Sequence, residues 1–171
     1  MLSHHASQSK NGSDMNEEFA EALSAAVAAT LNDTFGIATR MEVWSLVKGP
    51  LALEPFIACT VDMKDVVHNS SGTFIIAFSH ETITKVLEIV GSPDSKNPEV
   101  VNDAATEIAN MVYGMLKTSL NKMGHSFGMA IPAVVENKHA LSDRYQNDTK
   151  MILSFVAGDH QCKVMIAPLS E

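Results

Sequence analysis

A chain of 171 residues has the length of one ordinary domain with a full hydrophobic core. Hydrophobic residues make up 46% of it and charged residues 19%, a balance too apolar for a disordered chain. The formal net charge of −8 argues against broad, sequence-independent nucleic-acid binding, which needs clustered Lys and Arg to displace phosphate counterions, and turns attention to a protein partner.

Residues 1–14 are rich in Ser, His, Asn and Gln and predict a flexible N-terminal tail in which His4 and His5 are inert; one domain is expected over 15–171. The start lacks a basic region followed by an apolar core, and Ala22 to Leu31, the longest uncharged apolar stretch of the first half, is too short to span a bilayer. No membrane insertion and a cytoplasmic location are therefore expected. From Asn16 onward Phe19, Leu23, Val27 and Leu31 recur with helical spacing until Gly36.

Three strand-like segments follow, Ala38 to Val47, Phe56 to Met63 and Thr73 to Phe78, separated by Gly49-Pro50 and Asn69-Ser70-Ser71-Gly72. They suggest an antiparallel meander. Ser79 caps a second helix running to about Val90, and Asn97-Pro98-Glu99 opens a third that runs to about Met123, before Gly124. Phe127 to Val135, Met151 to Val156 and Cys162 to Ile166 read as three further strands, with a polar loop from Glu136 to Lys150. The sum is an α+β chain of two loosely similar halves, each a long helix followed by three strands.

Cys59 and Cys162 stand far apart, outside any CxxC or Cys/His ligand cluster, and read as two buried reduced thiols. His68, His80, His125, His139 and His160 are scattered, and neither GxSxG nor HExxH is present, so a conventional hydrolase or a metal cage is not expected. The ten methionines, including Met111, Met115 and Met123, read as filling for irregular core gaps, and Trp44 and Phe56 as sheet packing.

The third helix carries the chemistry. Val100, Val101, Ala104, Ile108, Met111, Val112 and Met115 share one side, the expected core face, at about 100° per residue. Asp103, Glu107, Asn110 and Gly114 form a separate stripe roughly 60° wide, able to meet a partner together. A solvated helix face accounts for such residues equally well. Gly114, however, costs about 1 kcal/mol relative to Ala inside a helix, which points to close approach at that surface.

Asp103-x3-Glu107-x2-Asn110, followed about twenty-two residues later by Pro132, resembles the motif of the CheC/CheX/FliY family. The flanking text fits as well: Gly72-Thr73-Phe74-Ile75-Ile76-Ala77-Phe78 before it and Ile131-Pro132-Ala133-Val134-Val135 after it. Pro132 falls within one residue of the family's place, and a single proline stands where relatives often have two. Members similar to CheC carry two copies of the motif and those similar to CheX carry one. Here the comparable register of the first helix, Ser24-x3-Ala28-x2-Leu31, holds an apolar pair in the acid and amide places.

The resemblance implies a CheC-like fold, an antiparallel β-sheet packed against long helices with a pseudo-repeat. It also implies a homodimer and a phosphatase acting on the aspartyl phosphate of a CheY-like response regulator, in chemotaxis or related two-component signalling. Asn110 would orient the attacking water and Glu107 would pair with the regulator's active-site lysine. Asp103, Gly114 and Pro132 are read as secondary partner contacts, with stabilisation of the helix dipole an equal reading for Asp103. No cofactor is expected on this chain, with magnesium expected on the regulator. A non-catalytic regulator-binding or flagellar-switch adaptor is the alternative.

Overall fold

The computed structural model describes residues 12–168. Most of the tail expected over residues 1–14 lies outside this range, and helical backbone already begins at Gly12. Helix α1 (Gly12–Ala28) passes directly into a π-helical stretch, Ala29–Thr34, keeping Leu23, Val27 and Leu31 fully buried. Gly36 ends the helix at φ 69°, a conformation glycine adopts without a Cβ clash. The amides of Gly36 and Ile37 donate to the Asn32 and Leu31 carbonyls, each at 2.9 Å.

Strands β1 (Thr39–Val47), β2 (Ile57–Asp65) and β3 (Ser70–Phe78) precede α2 (His80–Ile89) and α3 (Pro98–Lys122). The short β4 (Ala133–Val134), α4 (Lys138–Tyr145), β5 (Lys150–Ala157) and β6 (His160–Ala167) complete the described chain. Both predicted caps form: the Ser79 hydroxyl accepts from the Thr82 amide at 3.1 Å, and the Asn97 carboxamide oxygen accepts from the Glu99 amide at 3.0 Å. Pro98 occupies the first turn of α3, where its missing N–H leaves no bond unmade.

All six strands join one antiparallel sheet in the order β1-β5-β6-β3-β2-β4. Exchanging the halves, so that β1, β2 and β3 trade places with β4, β5 and β6, reverses this order without altering it. The repeat suggested by the order of elements is thus built into the topology. The central strand β3 is buried on both faces: Phe74, Ile76 and Phe78 join the core with α1, α2 and α3, while Ile75 and Ala77 face the other way.

That second face explains two departures from expectation. The meander does not form, because β1 pairs with β5 and, of the first three strands, just β2 and β3 pair with each other. Between β1 and β2 the chain crosses from one side of the sheet to the other, burying Leu51 and Leu53 against Ala58, Ile75 and Met165. The segment expected as a polar loop over 136–150 crosses the same face and contains α4. Its anchors are few: Tyr145 is buried, the Ser142 hydroxyl accepts from the Leu51 amide at 2.8 Å, and buried Lys150 donates to the Tyr145 and Asp148 carbonyls. So few inward residues leave no apolar periodicity to read.

The strand expected over Phe127 to Val135 shrinks to Ala133–Val134 plus an isolated bridge between Asp65 and Phe127. Pro132 offers no N–H immediately before β4, and this edge keeps Met129 and Ile131 almost fully exposed. Trp44 packs partly buried against the helix-side core, and Phe56 packs on the opposite face with Lys163 Nζ 5.2 Å from its ring centre.

Candidate functional site

Helix α3 lies in the helical layer, touching α1, α2, β2 and β4. Its buried residues are Val101, Ala105, Ile108, Ala109, Val112, Tyr113, Leu116 and Leu120. At 100° per residue this stripe is centred roughly a quarter-turn from the expected one. The reason is that α3 packs on two sides at once, against the sheet and against α1, so Ala105, Ala109 and Tyr113 turn inward. Tyr113 donates to the Gly128 carbonyl at 3.1 Å, and burial raises the pKa of its phenol.

The rotation places the polar stripe almost diametrically opposite the buried one. Asp103, Glu107 and Asn110 are all exposed, successive turns of one rigid helix, and Gly114 is partly exposed one turn further on. Beyond its own helix backbone, a Cβ added at Gly114 would meet nothing within 4 Å, so no packing among the described residues demands glycine there. Pro132, by contrast, is buried beside the start of β4, where its ring shapes the backbone and offers little surface to a partner.

Two residues assigned to the core belong to this surface instead. Met115 is exposed and Met111 partly so, and together with Asn110, Gly114 and Thr118 they line a shallow depression along the helix. Met123 is exposed as well. The helical wheel placed Met111 and Met115 on the wrong side because it treated every apolar residue as inward. Their place beside Asn110 and Gly114 sets two flexible thioethers as an apolar rim along the polar pair.

In the core between the sheet and the helices lie the two cysteines, both buried and unpaired. Burial pushes the Cys59 thiol up to about 11, against a small opposing hydrogen bond with Thr106 of α3, and pushes Cys162 up to about 12. At such values neither is a thiolate nucleophile near neutral pH.

The histidines are less scattered than the sequence suggests. His68, in the β2–β3 turn, and His125, just past α3, both direct Nδ1 at Asp65 Oδ2, at 2.6 and 2.7 Å. Sequence separations of three and sixty residues hid this meeting. Among the described residues no helix is long and apolar enough to cross a membrane.

Fold and exposed helix face together define an α+β protein of CheC-like architecture. The CheC-like superfamily protein from Shewanella sp. PV-4 superposes with TM-score 0.70 at 23% identity, over 87% of this chain and 96% of that one. Chemotaxis protein CheX from Desulfovibrio desulfuricans gives 0.65 at 18% identity, over 88% and 98% of the two chains. The CheX–CheY–BeF3–Mg2+ complex from Borrelia burgdorferi gives 0.65 at 21%, over 87% and 96%. No curated protein sequence matches the chain. The family model for chemotaxis phosphatase CheX matches residues 57–156, more than half of the chain and all of α3, and the chain belongs to that family.

Proposed function

We propose that this chain hydrolyses the aspartyl phosphate of a CheY-like response regulator, inserting Glu107 and Asn110 from α3 into the phosphorylated pocket. The observation that carries the reading is the projection of an exposed carboxylate and carboxamide, one turn apart, from the side of α3 opposite the core. Membership of the CheX family supports it.

An acyl phosphate is already activated, so the helix need not supply a nucleophile; it needs to hold one water in line with phosphorus. The Asn110 side-chain oxygen accepts a hydrogen bond from that water, and its neutral NH2 donates elsewhere without repelling phosphoryl oxygens. Glu107, three residues earlier, pairs with the regulator's active-site lysine and sets the register, a charge-assisted contact. Asp103 extends the same acidic stripe, and the absence of a Cβ at Gly114 lets the partner backbone approach. Magnesium belongs to the regulator's own acidic pocket, where it neutralises phosphoryl charge.

A homodimer is the assembly implied by the family resemblance. Edge strand β1, with Val43 and Leu46 exposed, and edge strand β4 are the sheet's open ends. The deciding experiment is phosphate release from a phosphorylated CheY-like regulator, with and without this protein. Accelerated release that is lost in Asn110→Ala supports the phosphatase; binding without acceleration identifies a non-catalytic adaptor.

A further inference from the structure

The side-chain cluster at the far end of α3 is independent of the phosphatase face. Asp65 terminates β2 and is fully buried. Its Oδ1 accepts from two backbone amides, Ser126 at 2.9 Å and Val67 at 3.1 Å, which fixes the carboxylate plane. Oδ2 is left to the two imidazoles. The His125 ring is itself held, edge-on to Phe19 with centres 5.3 Å apart and stacked on Phe127 at 5.5 Å. The bracing continues outward: Asn121 exchanges two hydrogen bonds with Phe127, at 2.8 and 3.1 Å, closing the loop that carries His125.

We propose that Asp65, His68 and His125 form a binding site for a single divalent transition-metal ion of the zinc type. One oxygen and two imidazole nitrogens, all within 4.8 Å of one another, are a two-His, one-carboxylate donor set. The carboxylate is buried and oriented by backbone amides, the outer-shell support that metal ligands need.

The geometry asks for a small adjustment. Ligands about 2.0–2.2 Å from a tetrahedral ion lie roughly 3.3 Å from each other, so each nitrogen must retreat about 0.6 Å from Oδ2. His68 does so by its side chain, which is 52% exposed and sits in a turn, whereas the packed His125, 17% exposed, has to move with the loop past α3 that carries it. Each Nδ1 must give up its hydrogen to bind. A neutral ring does this by moving to the Nε2–H tautomer, with no net proton released. The open side faces a groove lined by Phe19, Met63, Gly72 and Met123, leaving a coordination position for water.

The ion would act structurally on this protein. From Asn110 to the end of α3 at Lys122 is about 18 Å of helix, far from the proposed water-orienting residue. What the site joins is the β2–β3 turn and the connection from α3 to β4.

The test uses the full chain, stripped with a chelator and titrated with Zn2+ by calorimetry and with Co2+ by visible d–d absorption. One equivalent should bind. His68→Ala, chosen because its exposed ring can be lost without opening the core, and His125→Ala should each weaken binding by about 100-fold or more. A His4→Ser/His5→Ser chain, lacking the histidines outside the described residues, should bind as wild type does. Circular dichroism confirms that each variant is folded. Absence of a Co2+ spectrum in the wild type, unchanged affinity in folded His68→Ala, or loss of binding in His4→Ser/His5→Ser overturns the site.

Discussion

The two long helices hold equivalent places in a sheet whose strand order is symmetric under exchange of the halves, yet they use their surfaces differently. On α3 the acid and amide places hold Glu107 and Asn110, both exposed; in the comparable register of α1 they hold Ala28, partly buried, and Leu31, fully buried. The local backbone differs too. Around Leu31 the helix widens into a π-helical stretch, and Thr30 is drawn inward, its hydroxyl donating to the Ala26 carbonyl at 2.9 Å and touching Met115 Sδ of α3. One helix has become the support on which the other presents its polar face. A repeated fold offers two candidate faces, and the core consumes one of them.

Forcing the lost motif back onto α1 is the severest way to challenge this contrast. Ala28→Glu/Leu31→Asn should lower unfolding free energy by about 3–5 kcal/mol, since a fully buried leucine is replaced by a polar amide with no partner. Urea unfolding measures it, and a change under 1 kcal/mol would mean that Leu31 does not face the core. On α3 the same kind of exchange should be nearly silent for folding. Asn110→Ala is expected to shift stability by no more than about 0.5 kcal/mol while reducing accelerated dephosphorylation by about 100-fold or more. A folded Asn110→Ala protein with normal turnover would break the proposed mechanism.

Glu107→Ala sharpens the division of labour within that face. Loss of one charge-assisted contact corresponds to about 1.5–3 kcal/mol, so regulator affinity should fall about 10- to 100-fold. Turnover at saturating regulator should fall less. If saturation restored nothing, Glu107 would be acting on the chemical step rather than on docking.

Much of this architecture is readable before any coordinates. Ser79, Asn97-Pro98 and Gly36 mark helix ends by local hydrogen-bond chemistry, so the starts of α2 and α3 and the end of the first helix lie where the sequence predicts, while α1 begins earlier, at Gly12. What escaped were arrangements set by distant parts of the chain. The pairing of β1 with β5 depends on a crossover along the second sheet face, and α4 is held by isolated contacts at Ser142, Tyr145 and Lys150. On α3, the shared exposed side of Glu107 and Asn110 follows from their spacing, but the inward turn of Ala105, Ala109 and Tyr113 does not. Alanines are too small to announce burial, so Met111 and Met115 were assigned to the core in their place. The gathering of His68 and His125 on Asp65 likewise needs the sheet and the end of α3 to be placed together.

Gly114 gives the smallest expected change and the most discriminating one. Beyond the backbone of its own helix, a Cβ at this position meets nothing within 4 Å among the described residues, and the residue lies inside a regular helix. Gly114→Ala should therefore raise stability by about 0.5–1 kcal/mol, the helix-propensity difference, with no packing loss to offset it. If glycine is retained there for a partner's close approach, the same variant should bind the phosphorylated regulator more weakly while being the more stable protein. Opposite signs in the two measurements would separate a docking requirement from a folding one. Higher stability with unchanged docking would narrow the working face to Glu107 and Asn110, leaving Gly114 as a position where the helix is weaker than its contacts require.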